Sequence, residues 1–442
     1  MKSNWNLLKL FFIIQIVFSL NIYSQTYNNT FVLNKAILKD FIDTLAFKID
    51  NKYVLPEKAT AMSNYIKKRY KEGYYDKITD PNMLADVLNK DILSIHNDEH
   101  FYIEYNPKLA KELSVPPDSI YLAEQLKTNK AKNYGFKKIE ILNGNIGYID
   151  LSYFASLNPE SEKTANAAFQ VLSNCKAIII DLRYGMGGQP EMVCCIAKHF
   201  LKENTHILQS NFRSLDRDYN YYSEPDDNYT SLYNTPLYIL TSYKTFSAAE
   251  LLSYSLQNVN RVKIVGEQTR GGAHSAPKAL LYNGFIIALS LGKATSKATN
   301  TNWERVGVTP DIKTTAENSL EVAELDIFEN YFKHSKDSIE KIMLKWQLDL
   351  LKAKNSEPII DSRTLKKRVG VYSYIDISMK NNNLYYERIG KTKFPLVPMT
   401  QNKMRLRGND SFIVEFIVDR CNNVKEIITY NEDGRIEHSV RN

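Results

Sequence analysis

The chain has 442 residues, 43% apolar and 24% charged, which excludes a wholly disordered polymer and predicts two to four domains at roughly 100–200 residues each. Its net charge of +7 is spread over short runs such as Lys67-Lys68-Arg69 and Lys366-Lys367-Arg368. No basic block is present, so nucleic acid is not an expected partner.

Met1-Lys2 opens a weakly basic start, and Leu7 to Leu20 is apolar apart from Lys9, Gln15 and Ser19. That run is shorter than the about 20 residues of a membrane span. It fits a secretory signal over residues 1–24, with Ser24 before Gln25 as the small-residue cleavage site; the alternative is an uncleaved anchor. Either way the body of the protein is expected outside the cytoplasm, in the periplasm or secreted, with no stable membrane span once the signal is removed. The four cysteines, Cys175, Cys194, Cys195 and Cys421, form no Cys-x-x-Cys or His-rich spacing, so no zinc site is expected. They read as mostly buried thiols, with one disulfide left open.

Helical spacing begins with Ile37, Leu38, Phe41, Ile42, Leu45 and Ile49. It continues over about 59–70 and, behind Asp80-Pro81, over 83–93. Residues 31–105 thus predict a helical N-terminal unit, ending in strand-like alternation at Phe101 and Ile103. Residues 106–134 are polar and read as an irregular connection, too short for a separate peptide-binding domain.

From Gly135 the pattern is strand, turn, strand about Asn143-Gly144, a strong hairpin signal. A helix near 161–172 follows, then the buried strand Ala177-Ile178-Ile179-Ile180, the glycine turn Gly185-Met186-Gly187-Gly188 and a helix over 191–201. A long polar insertion fills about 210–231. Strands at 237–240, 262–266 and 285–289 come next, with a helix to about 257. Strands alternating with helices argue for an α/β core over 135–315. Residues 316–356 return to helical spacing. Short strands separated by polar turns over 366–442 predict a C-terminal antiparallel β domain, an open sheet or a small barrel.

The stretch Leu237-Tyr238-Ile239-Leu240, a polar break and then Ser247-Ala248-Ala249-Glu250-Leu251 is a strand, a tight turn and a helix start with serine at the junction. Such a turn lifts a hydroxyl out of a sheet and aims free helix N–H groups at a developing anion. An ordinary serine N-cap gives the same local pattern. A serine nucleophile also needs a base, a group to orient it and donors for the oxyanion. Glycines 187 and 188 let the backbone approach a substrate closely.

Four landmarks stand in order: Asp181-Leu182-Arg183 with Gly187-Gly188, Thr245-x-Ser247-Ala248-x-Glu250, Val265-Gly266-Glu267-x-Thr269 and Gly307-Val308-x-Pro310-Asp311. Together they resemble the tail-specific, or C-terminal-processing, serine peptidase family. The resemblance covers about 135–315 and not the C-terminal β domain. It implies a mixed-sheet core of crotonase-like ββα repeats and hydrolysis of protein or peptide substrates, without metal or nucleotide cofactor. The lysine of the family's serine–lysine branch would fall on Gly272. The tricorn-like branch, similar also to interphotoreceptor retinoid-binding repeats, uses histidine, and Asp98-Glu99-His100 and Glu304 match its pattern. By resemblance the triad is Ser247, His100 and Glu304, and the oxyanion donors are Ala248 with Gly187 or Gly188. Asp181 and Arg183 are expected to hold the turn. Gly185 stands where the family often has asparagine. His274 is a rival base. The competing functions are a catalytically silent ligand- or peptide-binding protein on the same fold, and an esterase. The sequence carries no sign of an oligomeric state.

Overall fold

A computed structural model of the protein describes residues 33–116, 119–225, 229–355 and 358–442; the signal read at 1–24 lies outside them. The chain divides into two compact units. One runs to Ala316 except for Leu142–Asn145, and the other consists of that turn with Glu317–Asn442.

The first unit begins with helices α1 (Lys35–Lys52), α2 (Pro56–Lys71) and α3 (Pro81–Ile95). Asn34 and Asp80 cap α1 and α3 through their side chains, and Pro56 and Pro81 open α2 and α3. Their apolar faces, including Phe41, Leu45, Ile66, Leu88 and Ile92, share one core with Phe285 and Ile287. Those two residues lie on β11 (Phe285–Ala288), which β10 (Lys278–Tyr282) and β1 (Tyr102–Tyr105) flank antiparallel, Ile103 opposite Ile287. This pairing delivers the segment Asp98-Glu99-His100, just before β1, to the interior of the unit.

The connection expected over 106–134 is instead largely helical, with α4 (Pro107–Glu112) and α5 (Ser119–Ala131). Leu122 and Leu126 stay exposed on α5, so no buried apolar stripe announced it. The insertion at 210–231 likewise contains regular structure: β5 (His206–Phe212) pairs antiparallel with β6 (Arg217–Tyr222) on one side and with β12 (Gly292–Thr295) on the other. The alternation of buried and polar residues on β5 is that of a strand with one wet face.

The central sheet has six strands. They are β2 (Phe136–Leu142), β3 (Ile146–Leu151), β4 (Ala177–Asp181), β7 (Leu237–Thr241), β8 (Lys263–Gly266) and β13 (Ile312–Lys313), in the order β13-β8-β7-β4-β3-β2. β3, β4, β7, β8 and β13 are parallel neighbours. Every residue of β4 and β7 is buried, which is why these strands read as unbroken apolar runs. Helices α6 (Pro159–Val171), α7 (Pro190–Ala197) and α8 (Ala248–Asn258) belong to the crossovers. The carboxyl ends of adjacent parallel strands β4 and β7 are where the glycine turn and the serine turn begin, the usual place for a site on such a sheet.

The second unit holds α9 (Ser319–His334), α10 (Ser338–Asn355), α11 (Ser362–Arg368) and eight antiparallel strands from Gly370 to Val440 in simple chain order. A bridge between Tyr372 and Arg441 draws the two ends of that sheet together. The α/β core with a mixed sheet, the N-terminal helices and the C-terminal antiparallel β region agree with the expected fold class. No helix among the described residues is long and apolar enough to cross a membrane.

Candidate functional site

The serine turn is laced to the glycine turn. Thr245 Oγ1 donates to Leu182 O at 2.7 Å, Phe246 N donates to Gly185 O at 3.1 Å, and Ser242 Oγ donates to Arg183 O. Ser247 follows at φ 57°, ψ −115°. An ordinary N-cap serine has extended backbone, so this is not a plain cap. A non-glycine residue held there costs about 1–3 kcal/mol and persists only where its surroundings enforce it. Ser247 is half-buried and borders a cavity of about 810 Å³.

The glycine turn faces it. A Cβ added to Gly187 would lie 3.1 Å from Ser247 Oγ. Gly188, at φ 151°, passes so close to Phe154 that an added Cβ would sit 2.0 Å from its carbonyl oxygen. Phe154 N donates to Gly187 O and Gln189 N donates to Phe154 O. Among the described residues, the amides of Gly187 and Gly188 donate to no backbone carbonyl. As the first residue of α8, Ala248 has no intrahelical acceptor for its own N–H. Asp181 accepts from Arg183 N at 3.0 Å, from the Arg183 guanidinium and from Tyr148 Oη at 2.6 Å. Arg183 Nη1 donates to Ala316 O. Both residues brace the turn.

His100 stacks on Phe246, the neighbour of Ser247, with ring centroids 4.5 Å apart. Arg270, paired with Glu99 at 2.8 Å, covers the same phenyl ring. A Cβ added to Gly272 would lie 2.5 Å from His100 Cε1 and 2.3 Å from Phe246 Cε2. Both ring nitrogens of His100 are buried without a hydrogen-bond partner among the described residues. Burial pushes the imidazole down to about 4; Asp98 opposes that, while His274 and Arg270 add to it. Replacing Gly272 by alanine is therefore expected to drive the imidazole and Phe246 apart. The rate at which a fluorophosphonate labels the protein should fall by about 10²-fold, as for a misplacement of an ångström, at a stability cost of about 1–3 kcal/mol for overpacking; labelling kinetics and melting curves check this.

His274 is the better-partnered histidine. Its Nδ1 lies 3.4 Å from Asp98 Oδ2 and 3.7 Å from Glu304 Oε2. Asp98 also accepts from Tyr53 Oη at 2.8 Å and from the His100 amide at 2.9 Å. Burial alone would raise the Asp98 carboxyl, but the His274 imidazole and the Tyr53 hydroxyl beside it hold it well below the usual range. Glu304 Oε2 accepts from Ala273 N at 2.7 Å, and its Oε1 is buried without a partner. Burial leaves Glu304 raised despite His274 nearby. Thus Ser247, His100 and His274 border one cavity, and Glu304 stands against His274. Among the described residues no hydrogen bond joins Glu304 to His100. The ligand-type atoms of Asp98, His274 and Glu304 come within 4.8 Å of one another. Each carboxylate there also accepts an N–H or O–H from the protein.

From sequence, Glu250 is a landmark residue at a helix start with no proton-transfer role. It is wholly buried and accepts from Ser247 N at 2.8 Å, Gly272 N at 2.8 Å, Gly271 N at 2.6 Å and Thr269 Oγ1 at 2.5 Å. Trp303 Nε1 donates to Gly272 O and Val308 N donates to Thr269 Oγ1. The landmarks around 265–269 and 303–311 thereby form a frame under the segment that carries Gly272 and leads into β9 (His274–Ser275). A glutamate three residues after a cap serine was the available signal.

The apolar side of the cavity is made by Leu157, Cys194, Leu208, Tyr221 and Leu251, and Leu122 of α5 reaches it as well. All four cysteines are free thiols. Cys421 is exposed, unlike the buried thiol expected, because it sits in a polar turn held by Asp419.

Residues 145–314 match the model of peptidase family S41, the span in which the sequence resemblance was read. The chain is 29% identical over 168 residues to the chloroplastic carboxyl-terminal-processing peptidase 2 of Arabidopsis thaliana, covering 38% of this chain and 31% of that protein. It is 26% identical over 195 residues to a carboxyl-terminal-processing protease of Picosynechococcus sp., covering 44% of this chain and 45% of that one. The chain thus spans about a third to just under half of these curated relatives. The solved photosystem II D1 C-terminal processing protease superposes with a TM-score of 0.41 at 16% identity, covering 65% of this chain and 94% of that one.

Proposed function

From a core that matches peptidase family S41 over residues 145–314, we propose that this protein is an exported serine peptidase. It hydrolyses peptide bonds through an acyl-enzyme on Ser247. The observation that carries the reading is the backbone of Ser247 at φ 57°, packed against Gly187 of the glycine turn, with the His100 imidazole stacked on its neighbour Phe246. Ser247 Oγ attacks the scissile carbonyl, and His100 accepts the hydroxyl proton. The oxyanion is received by the amides of Ala248 and of Gly187 or Gly188. His100 then protonates the departing amine, and the same steps run with water to release the acyl group.

His100 is the base because of its place in the frame. Ser247 N and Gly272 N share Glu250 Oε2, and His100 Cε1 rests directly over Gly272. His274 is two residues farther along the chain. Glu304 remains the orienting carboxylate: its Oε1 and the His100 ring nitrogens are buried groups without partners. Leaving a buried polar group unpaired costs about 1–3 kcal/mol, so closure around a peptide that joins them is favoured. A second reading makes His274 the base, on the strength of the carboxylates at its Nδ1.

The pH profile tests His100. Neutral imidazole is the active base. A His100 lowered to about 4 by burial keeps that form in mildly acidic solution, so kcat/KM is expected to rise through pH 4 and be level by 6.5. A profile that does not stay level down to about pH 5 would remove His100 as the base. The stability sign agrees. Between about 4 and the ordinary value near 6.5 the unfolded chain binds this proton and the native state does not, so stability declines as pH falls across that window.

The signal read at residues 1–24 supports export, to the periplasm or beyond. The substrate is a protein or peptide chain, one side chain of which enters the apolar cavity. Fluorophosphonate labelling followed by assay on peptide and ester substrates tests the reading. An unlabelled protein that still binds peptide would be a silent binding module, and turnover confined to esters would make it an esterase.

A further inference from the structure

The bonds around Glu250 do more than end a helix. A carboxylate offers about four lone-pair sites and no donor. Glu250 has all of them in use, Oε1 by Thr269 and Gly271 and Oε2 by Gly272 and Ser247. Burial pushes its carboxyl upward while these donors pull it back. An ordinary capping glutamate on a first helical turn is solvated and returns one bond to the cap amide. This one is 0% exposed and takes three of its bonds from another segment. That segment, 269–272, supports His100 from below through Gly272. It also holds Arg270, which covers Phe246 and pairs with Glu99 beside His100.

The geometry points to Glu250 as a positioning residue that sets the nucleophile against its base. One oxygen holds the strained Ser247 amide and the Gly272 amide, so the spacing of Ser247 from the imidazole over Gly272 is fixed by a single carboxylate. The inference rests on Ser247 and His100 acting as proposed above. It adds that an acidic side chain which touches no substrate governs the rate.

Glu250→Gln is the direct test. An amide turns one acceptor oxygen into a donor that faces existing donors, so at least two bonds are lost while volume is kept. With active sites counted by fluorophosphonate stoichiometry, kcat per titrated site is expected to fall at least tenfold with KM within about twofold. Glu250→Asp, which keeps the charge, should recover part of that loss. A purely structural glutamate would give fewer titratable sites or a lower Tm with kcat per site unchanged, and that result overturns the inference. If Glu250→Gln does not fold, Thr269→Val decides: removal of one donor from Oε1 should lower kcat per site severalfold at constant KM, and no change overturns the inference. Ser247→Ala is run beside them. Labelling that survives in Ser247→Ala refutes Ser247 as the nucleophile, whereas an unaffected Glu250→Gln with a silent Ser247→Ala refutes only the role of Glu250.

Discussion

Ser247→Ala is expected to remove fluorophosphonate labelling and to lower peptide turnover by roughly 10⁴-fold or more, the scale seen when a serine nucleophile is deleted. The local chemistry leaves no understudy. Ser242 is tied by its hydroxyl to Arg183 O, and Thr245 by its own to Leu182 O. Both serve to hold the turn that presents residue 247. The substitution removes one oxygen from a half-buried site and leaves the Glu250 bond to the residue 247 amide intact, so the fold should survive and melting curves should match. Turnover that persisted with labelling intact would move the nucleophile elsewhere and empty the glycine turn of its role.

The second large effect concerns the two histidines. His100→Ala should lower kcat by about 10²–10⁴-fold, the usual contribution of a general base, with substrate binding little changed. His274→Ala should act more weakly and indirectly. It leaves Asp98 and Glu304 facing one another without the imidazole that separates them, and the amide of Ala273 is then held by a less settled Glu304. Measured side by side by labelling rate, the expected order is His100→Ala well below His274→Ala. The reverse order would transfer the base to His274 and make Glu304 and Asp98 its orienting pair.

Much of the fold could be read in one dimension because its causes are local. Buried parallel strands such as 177–181 and 237–241 are unbroken apolar runs, the Asn143-Gly144 turn declares a hairpin, and α3 announces itself through Asp80 and Pro81. The helices at 107–112 and 119–131 escaped notice since they bury too little of one face to create a period. The β5–β6 hairpin was hidden by its polar outer strand, in which no residue is buried.

The site divides in the same way. A serine placed between a strand and a helix, a glycine pair after another strand and the histidine-bearing segment 98–100 are properties of short windows, and the sequence by itself determined them. Which imidazole receives which carboxylate was decided only by tertiary structure, because Asp98 and His274 are brought together across 176 positions, with Glu304 beside them, by the pairing of β1 with β11. The same holds for Glu250. Its residue type was plain beside Ser247, but three of its four bonds come from residues 269–272. A hydrogen bond acts over about 3 Å of space, whatever the length of chain between its ends.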